Sequence, residues 1–123
     1  MELQKQYLNQ HAILAYEAKM LKIGAKDYND SLLVTAQEII SPWQPLRAEK
    51  LSIHDFDAVD LSRFELVIIG DASLNFSRYQ NLQMEFSQRQ IGCEIMNLGA
   101  ACRTFNILLS EDRQVLALFR LDV

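Results

Sequence analysis

Apolar positions recur along this chain with two different periods, and the second half shows them most clearly. Leu66-Val67-Ile68-Ile69 is a continuous apolar run, the pattern of a strand covered on both faces, and Gly70-Asp71-Ala72 ends it. From about Ser77 to Gln90 the spacing predicts a helix with Tyr79, Leu82 and Phe86 on one face. Gly92 to Met96 reads as a second short strand, so strand, helix and strand predict a right-handed βαβ unit with parallel strands. Gly99 opens a further helix, whose Ala101, Cys102, Phe105, Leu108 and Leu109 form one apolar stripe. Glu111-Asp112-Arg113 closes that helix, and Val115 to Leu121 reads as a last strand, apolar apart from Arg120.

The first half is harder to read locally. Residues 10–22 are rich in helix formers, with Leu14, Ala18 and Leu21 at helical spacing. The competing reading is two short strands, Ala12 to Tyr16 and Lys19 to Ile23, turning at Glu17-Ala18. Asn29-Asp30 signals a turn, and Ser31 to Thr35 reads as a strand. Ile39-Ile40 leads into Ser41-Pro42-Trp43-Gln44-Pro45, where each proline biases the preceding residue towards extended backbone. Trp43 is expected to cap one edge of the core. Residues 55–64 predict a short helix with Phe56, Val59 and the Arg63 stem on one face. Asp55, Asp57 and Asp60 lack the spacing and central glycine of a calcium loop, so they read as a solvated acidic face.

Composition narrows the class. Half of the residues are apolar (50%), which excludes a disordered chain, and 123 residues suffice for one core. The expected organisation is a short, poorly ordered extension over residues 1–11 followed by a single domain over 12–123. The net charge of −4 argues against a nucleic-acid partner, which would call for a basic face. Two cysteines, Cys93 and Cys102, are too few for a disulfide framework and fit a reducing compartment. Together with His11 and His54 they fall at unrelated spacings, so no metal site is expected. No apolar run approaches the roughly 18 residues of a membrane span, and Met1 to Asn9 has no secretory or transit pattern. The expected location is the cytoplasm.

Candidate chemistry centres on the strand ends, because open α/β sheets bind ligands beyond the carboxyl ends of their strands. If the strands ending at Gly70-Asp71 and at Asn97 are neighbours, Asp71, Asn97 and the helix start at Gly99 would face a common crevice. Arg103 and Asn106 would complete an anion or carbonyl pocket with the free N–H groups of that helix. The alternative is that Arg103 pairs with Asp71 or Glu94, and Asn106 faces solvent or ties down a loop. Cys102 lies near a helix N-terminus beside Arg103, which would suit a reactive thiol. It also lies on the apolar stripe with no histidine nearby in sequence, which suits a buried, inert one. No paired carboxylates, Ser-His-Asp order, P-loop or GxGxxG is present, and no cofactor is implied.

The stretch Ile91-Gly-Cys-Glu-Ile-Met-Asn-Leu-Gly-Ala-Ala-Cys-Arg-Thr-Phe-Asn-Ile-Leu-Leu109 resembles a known family. This is the small domain of unknown function shared by bacterial and archaeal proteins, mitochondrial respiratory complex I (NADH dehydrogenase) assembly factor three and an adipogenesis-associated protein of animals. Tyr16 with Ile23-Gly24, Tyr28 to Val34 followed by Trp43, and Leu66 to Gly70 fit in order, covering roughly residues 12–121. The resemblance implies a three-layer α/β domain with a mixed central sheet, one βαβ unit and extra β structure from the N-terminal half. That favours strands over residues 12–23. Where the family often continues Thr-Gly this chain has Asp71-Ala72, and where it often has Asp-Thr this chain has Asn97-Leu98. Phe105 stands where tyrosine is frequent. These departures weaken a catalytic reading and leave a docking surface intact. The expectation is a non-enzymatic interaction or assembly module with a protein partner, linked to respiratory complex assembly by the resemblance. The alternative is a small-molecule or anion-binding protein, or an enzyme, using the crevice near Gly70, Asn97 and Arg103.

Overall fold

A computed structural model describes residues 11–122. The expected N-terminal extension lies outside the described residues except for His11, whose Nδ1 is 2.6 Å from the carbonyl oxygen of Thr35. The centre is a mixed five-stranded sheet in the order β5-β4-β8-β6-β7. Its strands are β4 (Leu32–Val34), β5 (Ile39–Ile40), β6 (Leu66–Asp71), β7 (Gly92–Asn97) and β8 (Val115–Arg120). β6 runs parallel to both β7 and β8, whereas β4 is antiparallel to β5 and β8. A second, antiparallel sheet comprises β1 (Ile13–Glu17), β2 (Met20–Ile23) and β3 (Lys26–Tyr28).

Residues 12–23 therefore form a hairpin rather than the helix their local spacing suggests. Helix propensities differ by less than about 1 kcal/mol per residue, whereas burying a large aliphatic side chain contributes roughly 1.5–3 kcal/mol. The hairpin buries Ile13, Leu21 and Ile23, and burial decides.

The period-2 alternation of the central strands sorts the core into two clusters. Val67, Ile69, Leu116 and Leu118 point to one face, where helix α1 (Gln80–Gln88) supplies Leu82 and Phe86. Trp43 and Phe56 complete that layer, with ring centroids 4.9 Å apart, and Phe56 meets Phe86 edge-on at 5.4 Å. Ile68, Ala117 and Phe119 point to the other face, under helix α2 (Leu98–Ser110) and the β1–β3 sheet. The expected stripe of α2 is buried at all five positions, and Phe105 packs edge-on against Phe119. The result is a three-layer α/β domain with the mixed sheet in the middle.

Two expected helices differ in detail. In place of the one helix expected over residues 55–64 there are two separate 3-10 turns, Ile53–Phe56 and Leu61–Arg63. Their aspartates have local roles: Asp55 joins Ser52 in a capping box, and Asp60 accepts from the Ser62 N–H. These side chains stabilise short turns and leave no periodic run to propagate. The helix expected from Ser77 begins as a 3-10 turn, Phe76–Tyr79, before α1 proper.

Candidate functional site

β6 and β7 are neighbours, with Asp71 in register with Asn97, so the two strand ends do meet. Their side chains do not converge, however. Gly70 and Asp71 are consecutive in a strand and point to opposite faces of the sheet. Gly70 faces α2, and a Cβ built on it would lie 2.6 Å from the Ala101 Cβ and 3.2 Å from the Phe119 ring. That ground is filled by carbon. Asp71 faces the α1 layer and is fully buried.

The Asp71 carboxylate is the most elaborated polar group among the described residues. Oδ2 accepts from the Tyr79 hydroxyl at 2.6 Å, and Oδ1 accepts from the Ser73 hydroxyl at 2.7 Å and the Ser73 N–H at 2.8 Å. Two guanidinium groups approach without hydrogen bonding to it: Arg78 Nε lies 3.8 Å from Oδ2, and Arg120 Nη1 lies 4.0 Å from Oδ1. Arg120 donates instead from Nε to the Leu46 carbonyl at 2.9 Å, and Arg78 donates to the Ala48 carbonyl. The segment Gln44–Leu51 is thus pinned over the strand ends by two arginines that share one buried counter-charge. Burial by itself would raise the Asp71 carboxyl, but the Tyr79 and Ser73 hydrogen bonds and the Arg120 charge outweigh it and hold it below the usual value. Burial and the adjacent carboxylate push the Tyr79 phenol well above its usual value. The pair is therefore ionised carboxylate and neutral phenol at neutral pH. Among the described residues, the buried Arg78 Nε has no hydrogen-bond acceptor.

The remaining sequence candidates lie on the other face, where the hairpin meets α2. Asn97 caps α2 itself, its Oδ1 accepting from the Ala100 N–H at 2.8 Å. Tyr16 reaches over the first turn of the helix, its hydroxyl 2.6 Å from where a Gly99 Cβ would stand. Arg103 Nη1 donates to the Tyr16 hydroxyl at 3.0 Å, so its partner is neither Asp71 nor Glu94. Asn106 ties down the chain: it donates to the Ile13 carbonyl at 2.8 Å and accepts from the Ile13 N–H at 2.7 Å. One side chain thus satisfies both backbone groups of Ile13.

Both thiols are buried, and burial pushes each up to about 12. The neighbouring Arg103 works in the opposite direction at Cys102 and does not prevail. A protonated thiol is a poor nucleophile, so Cys102 acts as a small apolar side chain. No group of three or more His, Cys, Asp or Glu among the described residues is placed to hold a metal ion.

Sequence reasoning missed Tyr79, Arg78 and Arg120 as members of one cluster. The available signal was Arg120, the lone charge in an otherwise apolar strand, which requires a buried counter-charge on a neighbouring strand.

A family model described as a protein of unknown function (DUF498/DUF598) matches residues 13–120. Among solved structures, a Xanthomonas campestris protein is 25% identical with a TM-score of 0.77, covering 89% of this chain and 83% of that one. An outer membrane protein of Bartonella henselae is 24% identical, TM-score 0.71, covering 92% and 96%. A Mth938-like domain protein of Bordetella pertussis is 14% identical, TM-score 0.66, covering 94% and 88%. The last two likenesses concern the fold alone. No curated protein matches the chain. Among the described residues no helix is long and apolar enough to cross a membrane.

Proposed function

Because this chain belongs to the DUF498/DUF598 family of proteins of unknown function, no activity comes with its membership, and we propose that it works as a non-enzymatic protein-interaction module. The observation that carries this reading is the seam between β1 and α2. Leu14 is 62% exposed and Ile107 58% exposed, each next in sequence to a partner in the Ile13–Asn106 clamp, and Tyr16 is half exposed beside Arg103. Large apolar side chains held outward on a rigidly tied seam suit docking, and an adjacent arginine and tyrosine suit the centre of an interface. The inert thiols support the same reading, because they leave the chain without an activated sulfur nucleophile.

The resemblance to a complex I assembly factor makes a respiratory-complex subunit the first partner to be tried. Mild crosslinking and affinity purification from the native cell should recover one protein in stoichiometric amount. Leu14→Asp with Ile107→Asp should abolish its recovery, while Met84→Asp on the exposed face of α1 should not. Equal recovery by all three proteins, or none by the wild type, overturns the proposal.

A further inference from the structure

A cleft of about 170 Å³ opens where the end of β8 meets the β3–β4 turn. Asp30, Leu46, Arg47, Arg120 and Asp122 supply its chemistry. The volume falls well below the roughly 300–1,000 Å³ of sites for drug-sized ligands, so an occupant has few heavy atoms.

Its charges are balanced, two guanidiniums against two carboxylates, but they are used unequally. Asp30 is taken: it accepts from Arg47 and from the Ser31 N–H at 2.7 Å. Arg120 is held and only partly used. Its Nε is fixed on the Leu46 carbonyl, Nη1 is 4.0 Å from Asp71, and within the described residues neither terminal nitrogen has a hydrogen-bond acceptor. A guanidinium has five N–H donors in a planar fork, so four remain here on a group whose position is already set. Its side chain lines the cleft and is 22% exposed, and its unpartnered terminal nitrogens are not fully buried. On the other side, the Asp122 side chain has no ion pair or hydrogen bond to any described residue, while its N–H is anchored on the Ala18 carbonyl. The cleft thus offers one positioned cation and one carboxylate, two residues apart, that do not satisfy each other.

We infer that this cleft binds a small zwitterion of the α-amino acid type, its carboxylate on the Arg120 fork and its ammonium on Asp122. A simple anion would leave Asp122 facing added negative charge, and a simple amine would leave Arg120 facing added positive charge. A neutral ligand with adjacent opposite charges satisfies both and preserves the balance. None of Leu14, Tyr16, Arg103 and Ile107 lines the cleft, so this inference and the interaction reading can fail separately.

The test is an NMR titration of the full ¹⁵N-labelled chain with L-alanine, and with propionate and ethylamine as single-charge controls. Alanine should give saturable shifts in the low-millimolar range at the Asp30, Ser31, Leu121 and Asp122 amides, with each control at least roughly tenfold weaker. Asp122→Asn, at a half-buried terminal position away from both core clusters, should weaken alanine by roughly tenfold with an unchanged unfolding midpoint. Arg120→Lys should also weaken it, but that change also loosens the Leu46 contact, so Asp122→Asn carries the decision. Absence of saturable shifts, propionate or ethylamine binding as well as alanine, or alanine binding unaltered in Asp122→Asn would each overturn the inference.

Discussion

Gly70 and Asp71 end the same strand, one residue apart, and the two faces they address are closed by opposite means. On the Gly70 side, α2 comes so close that only a hydrogen fits beneath Ala101, and the contact is carbon on carbon. On the Asp71 side the sheet meets a carboxylate, a phenol and two guanidiniums, which hold a covering segment by its carbonyls. The first closure depends on shape and fails when volume is added. The second depends on charge and fails when a partner is removed or a proton moves. Both lie at the strand ends, where α/β domains commonly bind ligands, and neither leaves an open crevice between these two residues.

The largest expected effect is on the charged side. Asp71→Ala leaves two arginines without their shared counter-charge, and breaking a buried ionic cluster by removing one member costs about 3–5 kcal/mol. Urea denaturation would measure it, and a loss under 1 kcal/mol would mean that the cluster adds nothing to holding Gln44–Leu51. The same cluster sets two pH limbs. Asp71 has a lowered folded pKa, so its contribution is complete above the unfolded carboxyl value of about 3.9 and is lost as pH falls through the lower folded one. Tyr79 has a raised folded pKa, so above about pH 10 the unfolded chain releases a proton that the native one keeps, and stability falls as pH rises. Asp71→Asn should flatten the acid limb, and Tyr79→Phe should flatten the alkaline limb. Unchanged pH profiles in both variants would remove the electrostatic half of the comparison.

Next in size is Gly70→Ala. The added Cβ meets Ala101 Cβ, which is fixed to the α2 backbone and cannot rotate away, so the helix itself must shift. Overpacking of this kind costs about 1–3 kcal/mol. Ala101→Gly in the same chain should recover part of the loss despite the cost of glycine in a helix, giving a positive coupling in a double-mutant cycle. Strictly additive costs would show that contact with Ala101 is not what closes the Gly70 face.

This asymmetry explains what could be read in advance. The buried strands, the α2 stripe and the meeting of β6 with β7 were legible because periodicity and strand–helix spacing encode them directly. The grouping of Asp71 with Gly99 and Arg103 as one site was an inference from proximity along strand ends, and the pleat separates them: Asp71 points one way while α2 packs on the other side. Tyr79 was legible as an apolar-face residue of a helix, but not as the donor to Asp71, because a period locates the ring and says nothing of where its hydroxyl ends. Arg120 required knowing that β8 lies beside β6, a non-local fact. The hairpin needed the family resemblance, since local propensity at residues 12–23 points to helix and only tertiary burial reverses it.

The smallest effect sharpens the comparison at a third place, where a glycine is covered by a side chain that can move. A Cβ at position 99 would lie 2.6 Å from the Tyr16 hydroxyl, as close as the Gly70 clash. Here the obstacle is the end of a half-exposed side chain, and Gly99 lies in a helical turn where alanine is favoured by up to about 1 kcal/mol. Gly99→Ala should therefore change unfolding free energy by less than about 1 kcal/mol, the propensity gain offsetting the lost contact. Its signature should appear instead in the Tyr16 ring resonances and in the Arg103 side chain, which loses its hydroxyl acceptor. If the seam is a docking surface, this variant should weaken partner recovery while leaving the fold untouched, whereas the first effect of Gly70→Ala is on the packing of α2 against the sheet. A stability loss as large as that of Gly70→Ala would instead show that Tyr16 is fixed as firmly as the core, and that the seam belongs to the packing of the domain.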